Sequence, residues 1–225
     1  MKEQSTMFVG HFAMGFAAKR AAPRVSLATL FLACMLLDFI WPVLVIAGIE
    51  IVKIDPSGQY AVPLNLLYMP FSHGLVMTLI WSALMGAILG IRHRSAQTGL
   101  VVGAVVFSHW LLDFITHRPD LPLLFNGTKF GLGLWRSFIG TLVVEGALFG
   151  LGVFLYSRTT QAKTRRGSVL FITLVAFLFL AYVIFMFGPA PPLNTPGALI
   201  AGPALSMWLI VLWGYYVDRN RAVVH

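Results

Sequence analysis

The segment Ser108-His109-Trp110-Leu111-Leu112-Asp113 places two ionisable side chains inside an otherwise apolar run of the sequence. His109 and Asp113 are four residues apart, so on a helix they lie on one face, about one turn apart. Imidazole and carboxylate are both ligands of zinc and related ions, and a metal-bound histidine commonly donates its other ring N–H to a carboxylate. The pair therefore predicts two metal ligands, or one ligand and the group that orients it. A hydrogen bond that joins two helices is the alternative.

Four more ionisable residues lie in or beside other apolar runs: His11, Asp38, His73 and Glu145. Such side chains are costly within a membrane, so they tend to face a polar cavity and take part in function. We predict that a divalent metal ion, zinc by preference, is bound by one set of residues: His11, Asp38, His73, His109 and Asp113. Glu145 and Asp113 are predicted as the catalytic groups that accept a proton.

Several of these residues have a simpler interpretation. Pro42 has no N–H to donate to the carbonyl of Asp38, which predicts a kinked or terminated helix at this point. An isolated, protonated aspartate is the alternative for Asp38, and an interfacial histidine is the alternative for His73. His11 reaches mid-depth only if a short N-terminal helix is inserted. His117, just beyond its apolar run, is expected to be solvated.

The composition predicts an all-α fold, a polytopic integral membrane helical bundle. Of 225 residues, 58% are hydrophobic and 11% are charged, with a mean hydropathy of +0.83, whereas soluble domains carry roughly 25% charged residues. Six apolar runs are long enough to cross a bilayer: Ser26–Ile49, Phe71–Ile91, Gln97–Thr116, Ser137–Tyr156, Ser168–Gly188 and Gly197–Val217. Met7–Ala18 is shorter and predicts a partly inserted helix.

The whole chain, 1–225, is predicted to be one transmembrane domain. Residues 7–120 carry the predicted metal ligands, and 137–217 contain three further spans. The single cysteine, Cys34, excludes a disulfide framework and a cysteine metal site within this sequence. Three Gly-x-x-x-Gly pairs, Gly86/Gly90, Gly99/Gly103 and Gly146/Gly150, predict that their three spans pack together closely.

The basic residues predict the orientation in the membrane, since cytoplasmic loops are enriched in Lys and Arg. Twelve of the sixteen fall on one side of the predicted spans: Lys2, Lys19, Arg20, Arg24, Arg92, Arg94, Arg158, Lys163, Arg165, Arg166, Arg219 and Arg221. We therefore expect a multi-pass protein of the bacterial inner membrane with a cytoplasmic C-terminus. The net charge of +8 is explained by these span ends, and no basic-aromatic motif indicates nucleic acid as a partner.

The order of these motifs resembles the YdjM-like family, bacterial inner-membrane proteins described as metal-dependent hydrolases. The resemblance covers residues 7–120 and rests on four elements: His11 and Gly15; Asp38 and Pro42; Ser72, His73 and Gly74; and His109, Asp113 and Thr116. It implies a metal site built by these segments and a hydrolytic activity.

One element departs from the family pattern. Where the family usually has Pro-Asp-x-Asp-His-Pro, this chain reads Leu37-Asp38-Phe39-Ile40-Trp41-Pro42, so a second acid and a histidine are replaced by Ile40 and Trp41. We therefore expect a single ion rather than a two-metal site. Its ligands would be His11, His73, His109 and one or both aspartates.

These observations favour a membrane-embedded, metal-dependent hydrolase acting on a lipid or lipid-linked ester, amide or phosphodiester. A bound ion would activate water for that reaction, and the membrane depth of the ligands points to substrates that enter from the bilayer. A proton-coupled transporter is the first alternative, although the sequence has no internal repeat of the kind that many transporters show. A non-catalytic membrane subunit, with His73 and His109 as haem ligands, is the second.

Overall fold

The computed structural model describes residues 3–4, 8–57, 59–60, 63–125, 127–189 and 191–224. Lys2 and Met7, which entered the predictions of orientation and of the N-terminal helix, lie outside the described residues. The predicted fold class is confirmed, because the structure is an all-α helical bundle. Among these residues, five helices are long and apolar enough to cross a membrane, or up to six if one bent pair of helices is a single span.

Helices make up most of the described residues. They are α1 (Val9–Ala21), α2 (Leu27–Cys34), α3 (Leu36–Ile46), α4 (Leu75–His93), α5 (Ala96–Thr116), α6 (Phe138–Thr159), α7 (Arg165–Phe187), α8 (Gly197–Ala201) and α9 (Trp208–Arg219). Short 3-10 helices cover Leu134–Arg136 and Gly202–Met207. The second of these joins α8 to α9, so that Gly197–Arg219 forms one candidate span.

In the part of the chain that the structure describes, four two-stranded antiparallel ribbons connect the helix ends. The strands are β1 (Glu3–Gln4), β2 (Ile51–Ile54), β3 (Leu64–Tyr68), β4 (Leu121–Pro122), β5 (Lys129–Phe130), β6 (Thr160–Ala162), β7 (Gly188–Pro189) and β8 (Arg221–Val223). Strands β2 and β3 form the longest hairpin, while β1 pairs with β7, β4 with β5 and β6 with β8.

Helix α1 lies inside the bundle, where it packs against α2, α5 and α6. Phe12 and Phe16 are fully buried and meet Phe31 of α2 edge to face. At the other end of the helix, Lys19 is 3% exposed and pairs with Asp218 of α9 at 2.7 Å. A helix of only 13 residues can thus place His11 deep in the bundle, because nine of its residues are buried.

The first predicted span is bent at Met35, three residues before Asp38, where the kink was predicted, and Pro42 does not cause the bend. Helices α2 and α3 are bent by 54° across Met35, whereas α3 continues through Pro42 to Ile46. Proline removes one backbone hydrogen bond, and α3 tolerates that loss. At Met35 the backbone leaves the α-helical region, with φ −110° and ψ 11°, and the chain turns.

Close packing of α4 against α5 through glycine is confirmed. A Cβ atom on Gly86 would lie 2.7 Å from the carbonyl oxygen of Gly99, and one on Gly99 would lie 2.8 Å from that of Gly86. Such distances are too short for any larger residue. Gly90 and Gly103 lie at the same interface, so both pairs act as predicted.

The prediction that Gly146 and Gly150 join this packing is wrong. A Cβ atom on either would meet nothing within 4 Å, whereas one on Gly152 would lie 2.5 Å from the carbonyl oxygen of Ala13 in α1. Small residues permit close approach only on the face that is turned toward a neighbour. In α6 that face contains Gly152, and the Gly-x-x-x-Gly spacing marks the other face.

Candidate metal centre

The structure brings together the ligand atoms of His11, Asp38, His73, His109 and Asp113. His109 Nε2 lies 3.2 Å from Asp113 Oδ2 and 3.6 Å from Asp38 Oδ1. His73 Nε2 lies 3.7 Å from the same Asp113 oxygen and 3.6 Å from the same Asp38 oxygen. Tetrahedral zinc ligands with bonds of about 2.0–2.2 Å are roughly 3.3–3.6 Å apart. Two groups of three residues have ligand atoms within 4.8 Å of one another and could each hold an ion: Asp38, His73 and His109, and His11, His109 and Asp113.

His11 approaches the same cluster from α1. Its Nε2 lies 3.1 Å from Asp113 Oδ1, and its ring stacks on that of His109 with centroids 3.7 Å apart and planes 4° from parallel. One turn later, Gly15 allows α1 to approach α2, because a Cβ atom there would lie 2.8 Å from the Phe31 ring. The His-x-x-x-Gly spacing therefore combines a candidate ligand with the small residue that lets its helix approach.

His109 is oriented by the break between α2 and α3. Its Nδ1 lies 2.7 Å from the carbonyl oxygen of Cys34, the last residue of α2. Since a carbonyl only accepts, Nδ1 carries a proton, and in the neutral imidazole the lone pair is then on Nε2. This is the tautomer that binds a metal through Nε2.

His73 is oriented by a two-step hydrogen-bond chain. Its Nδ1 lies 2.8 Å from Ser72 Oγ, which donates to Glu50 Oε2 at 2.6 Å. Because the serine proton is given to the carboxylate, the Oγ accepts from His73 Nδ1–H, and Nε2 is left free to bind an ion. Glu50 Oε1 also accepts the backbone N–H groups of Phe71 and Ser72, at 2.8 Å and 2.9 Å, which fixes the start of α4.

Glu50 did not emerge from the sequence because its partners are 21 and 22 residues away along the chain. It follows the first apolar run directly, where an acidic residue looks like an ordinary loop charge. The only sequence signal was its place at the end of a span, shared with His73 at the start of the next. In the structure its side chain is buried, with the residue 2% exposed.

The expectation that His117 is solvated is wrong. The residue is 6% exposed, and its Nε2 lies 3.7 Å from Asp113 Oδ1. Its Nδ1 lies 3.1 Å from Asp120 Oδ1, while Asp120 Oδ2 accepts the backbone N–H of Leu66 at 3.0 Å. The sequence signal was the spacing His109-Asp113-His117, because residues four apart share one helix face.

Three buried polar atoms of this cluster have no hydrogen-bond partner among the described residues: His11 Nδ1, His109 Nε2 and Asp113 Oδ2. Buried polar groups are nearly always paired, so each exception calls for a ligand, an ion or a water. Two of the three are the atoms that face the space between His109 and Asp113. A zinc-like divalent ion fits this site, because the donors are imidazoles and carboxylates, their atoms lie close together and some of them have no other partner.

Glu145 lies at the start of α1, away from the converging ligand atoms. Its Oε2 accepts the backbone N–H of Phe8 at 3.1 Å, and the side chain is fully buried. A carboxylate at a helix N-terminus satisfies unpaired N–H groups and the positive end of the helix dipole. Glu145 thus holds α1, and with it His11, in position, while its role as a proton acceptor stays a prediction.

The cluster opens into a cavity of about 490 Å³ whose other walls are mostly apolar. His11, Asp38, His73, Asp113 and His117 line one part of it. Apolar side chains of α7, α8 and the following 3-10 helix line much of the remainder, among them Phe177, Ala181, Ile184, Phe185, Leu199, Ile200, Ala204 and Met207. The polar groups therefore face a space suited to a molecule with a reactive polar part and an apolar chain.

No protein-family model matches the chain, and no curated protein or solved structure matches it.

Proposed function

We propose that this chain is a membrane-embedded, metal-dependent hydrolase of lipids or lipid-linked esters, amides or phosphodiesters. The observation that carries the proposal is the meeting of His73, His109, Asp38 and Asp113 at the polar part of an apolar cavity. The oriented Nε2 atoms of His73 and His109 would hold a divalent ion, zinc by preference, together with the two carboxylates. When bound, such an ion lowers the pKa of a coordinated water and polarises the bond to be cleaved.

Asp38 is the carboxylate best placed to accept the proton of the attacking water. Its side chain is 18% exposed and lines the cavity, whereas that of Asp113 is 3% exposed and has an imidazole near each oxygen. The water oxygen would bond to the carbonyl carbon or phosphorus as its proton passes to Asp38 Oδ2, the oxygen left free if Oδ1 binds the ion. The bond to the leaving oxygen or nitrogen then breaks, and Asp38 returns the proton to that atom.

The apolar walls of the cavity favour a lipid substrate. Residues of α7 and of the α8 segment supply surface that would cover an acyl or isoprenoid chain while the polar group meets the ligands. Each methylene group buried in such a space contributes about 0.8 kcal/mol to binding. This arrangement supports a substrate that enters from the bilayer.

Neither alternative accounts for this geometry as well. Haem ligation by His73 and His109 would need room for the porphyrin between their rings, yet Asp38 and Asp113 lie within 3.7 Å of both nitrogens. A proton-coupled carrier would use the same carboxylates and imidazoles, but it does not need the Nδ1 atoms of both histidines held by fixed acceptors. We therefore favour the hydrolase.

The likeness in motif order to the YdjM-like metal-dependent hydrolases agrees with this proposal, and we propose the bacterial inner membrane as the location. The ends of α1 and α9 lie together through Lys19 and Asp218, and β6 pairs with β8 next to them. Most of the basic residues flank these ends, which supports a cytoplasmic C-terminus. A fluorescent protein that works only in the cytoplasm is expected to fluoresce when fused to the C-terminus. A phosphatase that works only in the periplasm is expected to be inactive at the same position.

Elemental analysis of the detergent-purified protein tests the proposed function. We expect at least one zinc, manganese or iron ion per chain, and its loss in the double variant H109A/D113A. The matched control, His93→Ala, replaces a histidine at the end of α4 and should keep the metal. Hydrolysis of p-nitrophenyl dodecanoate and of a fluorogenic phosphodiester in mixed micelles should follow metal content. A wild-type protein that binds no divalent ion would overturn the proposal.

A further inference from the structure

Helix α7 is held by different neighbours near its two ends. Near its start, the indole N–H of Trp213 in α9 donates to the carbonyl oxygen of Leu170 at 3.2 Å. Near its end, Tyr182 is buried, and its hydroxyl donates to the carbonyl oxygen of Leu142 in α6 at 3.4 Å. The helix therefore begins beside α9 and ends beside α6.

The α8 segment, Gly197–Met207, is held by α3 instead. It packs along α3, and a Cβ atom on Gly197 would lie 3.1 Å from Val45 Cγ1. Ala201 is fully buried in the apolar cluster that contains Val45 and Val52. Since α7 ends beside α6 while this segment lies on α3, a gap separates the two elements. The cavity of the candidate site occupies that gap, because both elements line it.

The gap opens on the lipid-facing surface of two candidate spans, Arg165–Phe187 and Gly197–Arg219. Four apolar side chains line the cavity and are also between 41% and 68% exposed: Phe177, Ile184 and Phe185 of α7, and Leu199 of α8. The surface of a membrane span at this level meets hydrocarbon. The cavity is therefore continuous with the bilayer on this side.

Another side of the cavity, toward the loops, is covered by the hairpin of β2 and β3. Val52 and Leu66 of this hairpin line the cavity and are buried. The hairpin is anchored at Leu66, whose backbone N–H donates to Asp120 Oδ2 at 3.0 Å and whose carbonyl oxygen accepts from Lys129 Nζ at 2.6 Å. The cavity thus has a covered wall toward the loops and an open one toward the lipid.

We infer that the substrate is a membrane lipid that enters through the gap between α7 and the α8 segment, with its polar group leading and its chain remaining in the gap. This inference rests on the proposed function, because it names the route and the substrate class of the same site. Ala181 and Ala204 line the cavity from the two sides, and their small side chains leave room for the chain. A lipid held in this way presents the bond at the junction of its polar group and its chain, so cleavage at that junction is favoured.

Photolabelling in vesicles tests the route without relying on hydrolysis. The protein is reconstituted in phosphatidylcholine vesicles that contain a phospholipid with a diazirine at the end of one acyl chain, illuminated and analysed by peptide mass spectrometry. Met207 and Ile210 line the cavity but are only 8% and 6% exposed, so lipid around the bundle does not reach them. We expect label on both residues. Ile172, exposed on α7, should be labelled by the surrounding lipid and is the positive control.

A variant that narrows the gap should prevent this labelling. Ala204→Trp places a large ring between the two walls, and we expect label on Met207 and Ile210 to fall about tenfold, the effect of losing two buried methylene groups. Ala176→Trp, on an exposed face of α7, should leave the labelling unchanged. Unchanged labelling in an Ala204→Trp protein that retains its metal would overturn the route.

The outcomes separate the route from the proposed function. Unlabelled Met207 and Ile210 in a metal-loaded, hydrolytically active wild type, with Ile172 labelled, would overturn the route and leave the hydrolase standing. Label on Met207 and Ile210 in a protein that binds no divalent ion would overturn the hydrolase, and with it the role of the lipid as substrate. Label on both residues in a metal-loaded protein is the expected result.

Discussion

His109 Nδ1 lies 2.7 Å from the carbonyl oxygen of Cys34, so the break between α2 and α3 supplies the acceptor that orients a candidate metal ligand. In an unbroken helix that carbonyl would accept from the N–H four residues later. The 54° bend frees it within the bundle, where an unpaired carbonyl would be costly. His109 satisfies it, and the same hydrogen bond directs Nε2 toward Asp38 and Asp113. The bend between α2 and α3 and the orientation of His109 are therefore linked through the carbonyl oxygen of Cys34.

This coupling predicts different results for two substitutions of His109. Asparagine keeps an N–H donor near the position of Nδ1 but has no equivalent of Nε2, whereas alanine has neither. We expect both variants to lose metal, and only His109→Ala to lose stability without metal, by about 1–3 kcal/mol for the unpaired carbonyl. Thermal unfolding in detergent with a chelator present measures the difference. Equal midpoints for the two metal-free variants would contradict the role of the Cys34 contact.

Ser72 provides a test of the support behind His73. Removing its hydroxyl in Ser72→Ala breaks the chain from His73 Nδ1 to Glu50. Loss of such an outer partner typically weakens metal binding about 10–100-fold, and competition with a fluorescent chelator would measure it. The matched control is Ser82→Ala, because the Ser82 hydroxyl donates only to the Thr78 carbonyl of its own helix. An unchanged affinity in Ser72→Ala would show that His73 is oriented by packing alone.

The residues of the candidate site were largely predictable because each carries a local signal. A histidine or aspartate within an apolar run is conspicuous wherever the run lies, and His11, Asp38, His73, His109 and Asp113 all stand out in this way. Long apolar runs likewise predict the helices, since the bilayer fixes their minimum length. Neither signal requires knowledge of which helices are neighbours.

The errors concern relationships between distant segments. His117 follows the end of a span, where hydropathy predicts solvent, but the loops around Asp55 and Tyr60 cover this end of the bundle. Glu50 is joined to Ser72 across the hairpin of β2 and β3. The face of α6 that is turned inward, marked by Gly152, depends on the position of α1. None of these arrangements can be predicted from the spacing of apolar residues within a single segment.

The close glycine contacts between α4 and α5 predict a loss of stability on substitution, and Gly146 of α6 provides the control. In Gly99→Ala the added methyl group would lie 2.8 Å from the Gly86 carbonyl oxygen, whereas in Gly146→Ala it would meet nothing within 4 Å. Overpacking of this kind costs about 1–3 kcal/mol, which corresponds to about 2–10 °C in the unfolding midpoint of a chain of this size. We expect that loss in Gly99→Ala, and no loss in Gly146→Ala. Equal midpoints would mean that α4 and α5 can separate without cost.

The loop ion pair between Asp55 and Arg118 predicts a defined pH dependence. Its N–O distance is 2.7 Å, and the hydrogen bond from Arg118 lowers the pKa of Asp55 from 3.8 to about 2 despite partial burial. Because the folded-state pKa is the lower one, the stabilisation is fully present above pH 3.8 and is lost as the pH falls through about 2.

Thermal midpoints of wild type and Asp55→Asn across this pH range test the pair. The difference between them should be constant above about pH 5 and should shrink between about pH 4 and pH 2. Arg118→Gln should remove most of this pH-dependent part, since it removes the group that lowers the pKa. A difference that stays constant down to pH 2 would mean that the Asp55 carboxylate contributes through packing and not through charge.

The apolar wall of the cavity predicts a dependence on the length of the substrate chain, given the proposed function. Ala181 of α7 lines the cavity, and a tryptophan there would fill space that the structure offers to a lipid chain. In Ala181→Trp we expect hydrolysis of p-nitrophenyl dodecanoate to fall about tenfold or more, since two buried methylene groups are worth about 1.6 kcal/mol. Hydrolysis of p-nitrophenyl acetate, which does not reach this wall, should change less than twofold. Ala176→Trp, on an exposed face of the same helix, controls for the bulk of the new side chain. Equal losses for both esters in Ala181→Trp would place the chain of the substrate elsewhere.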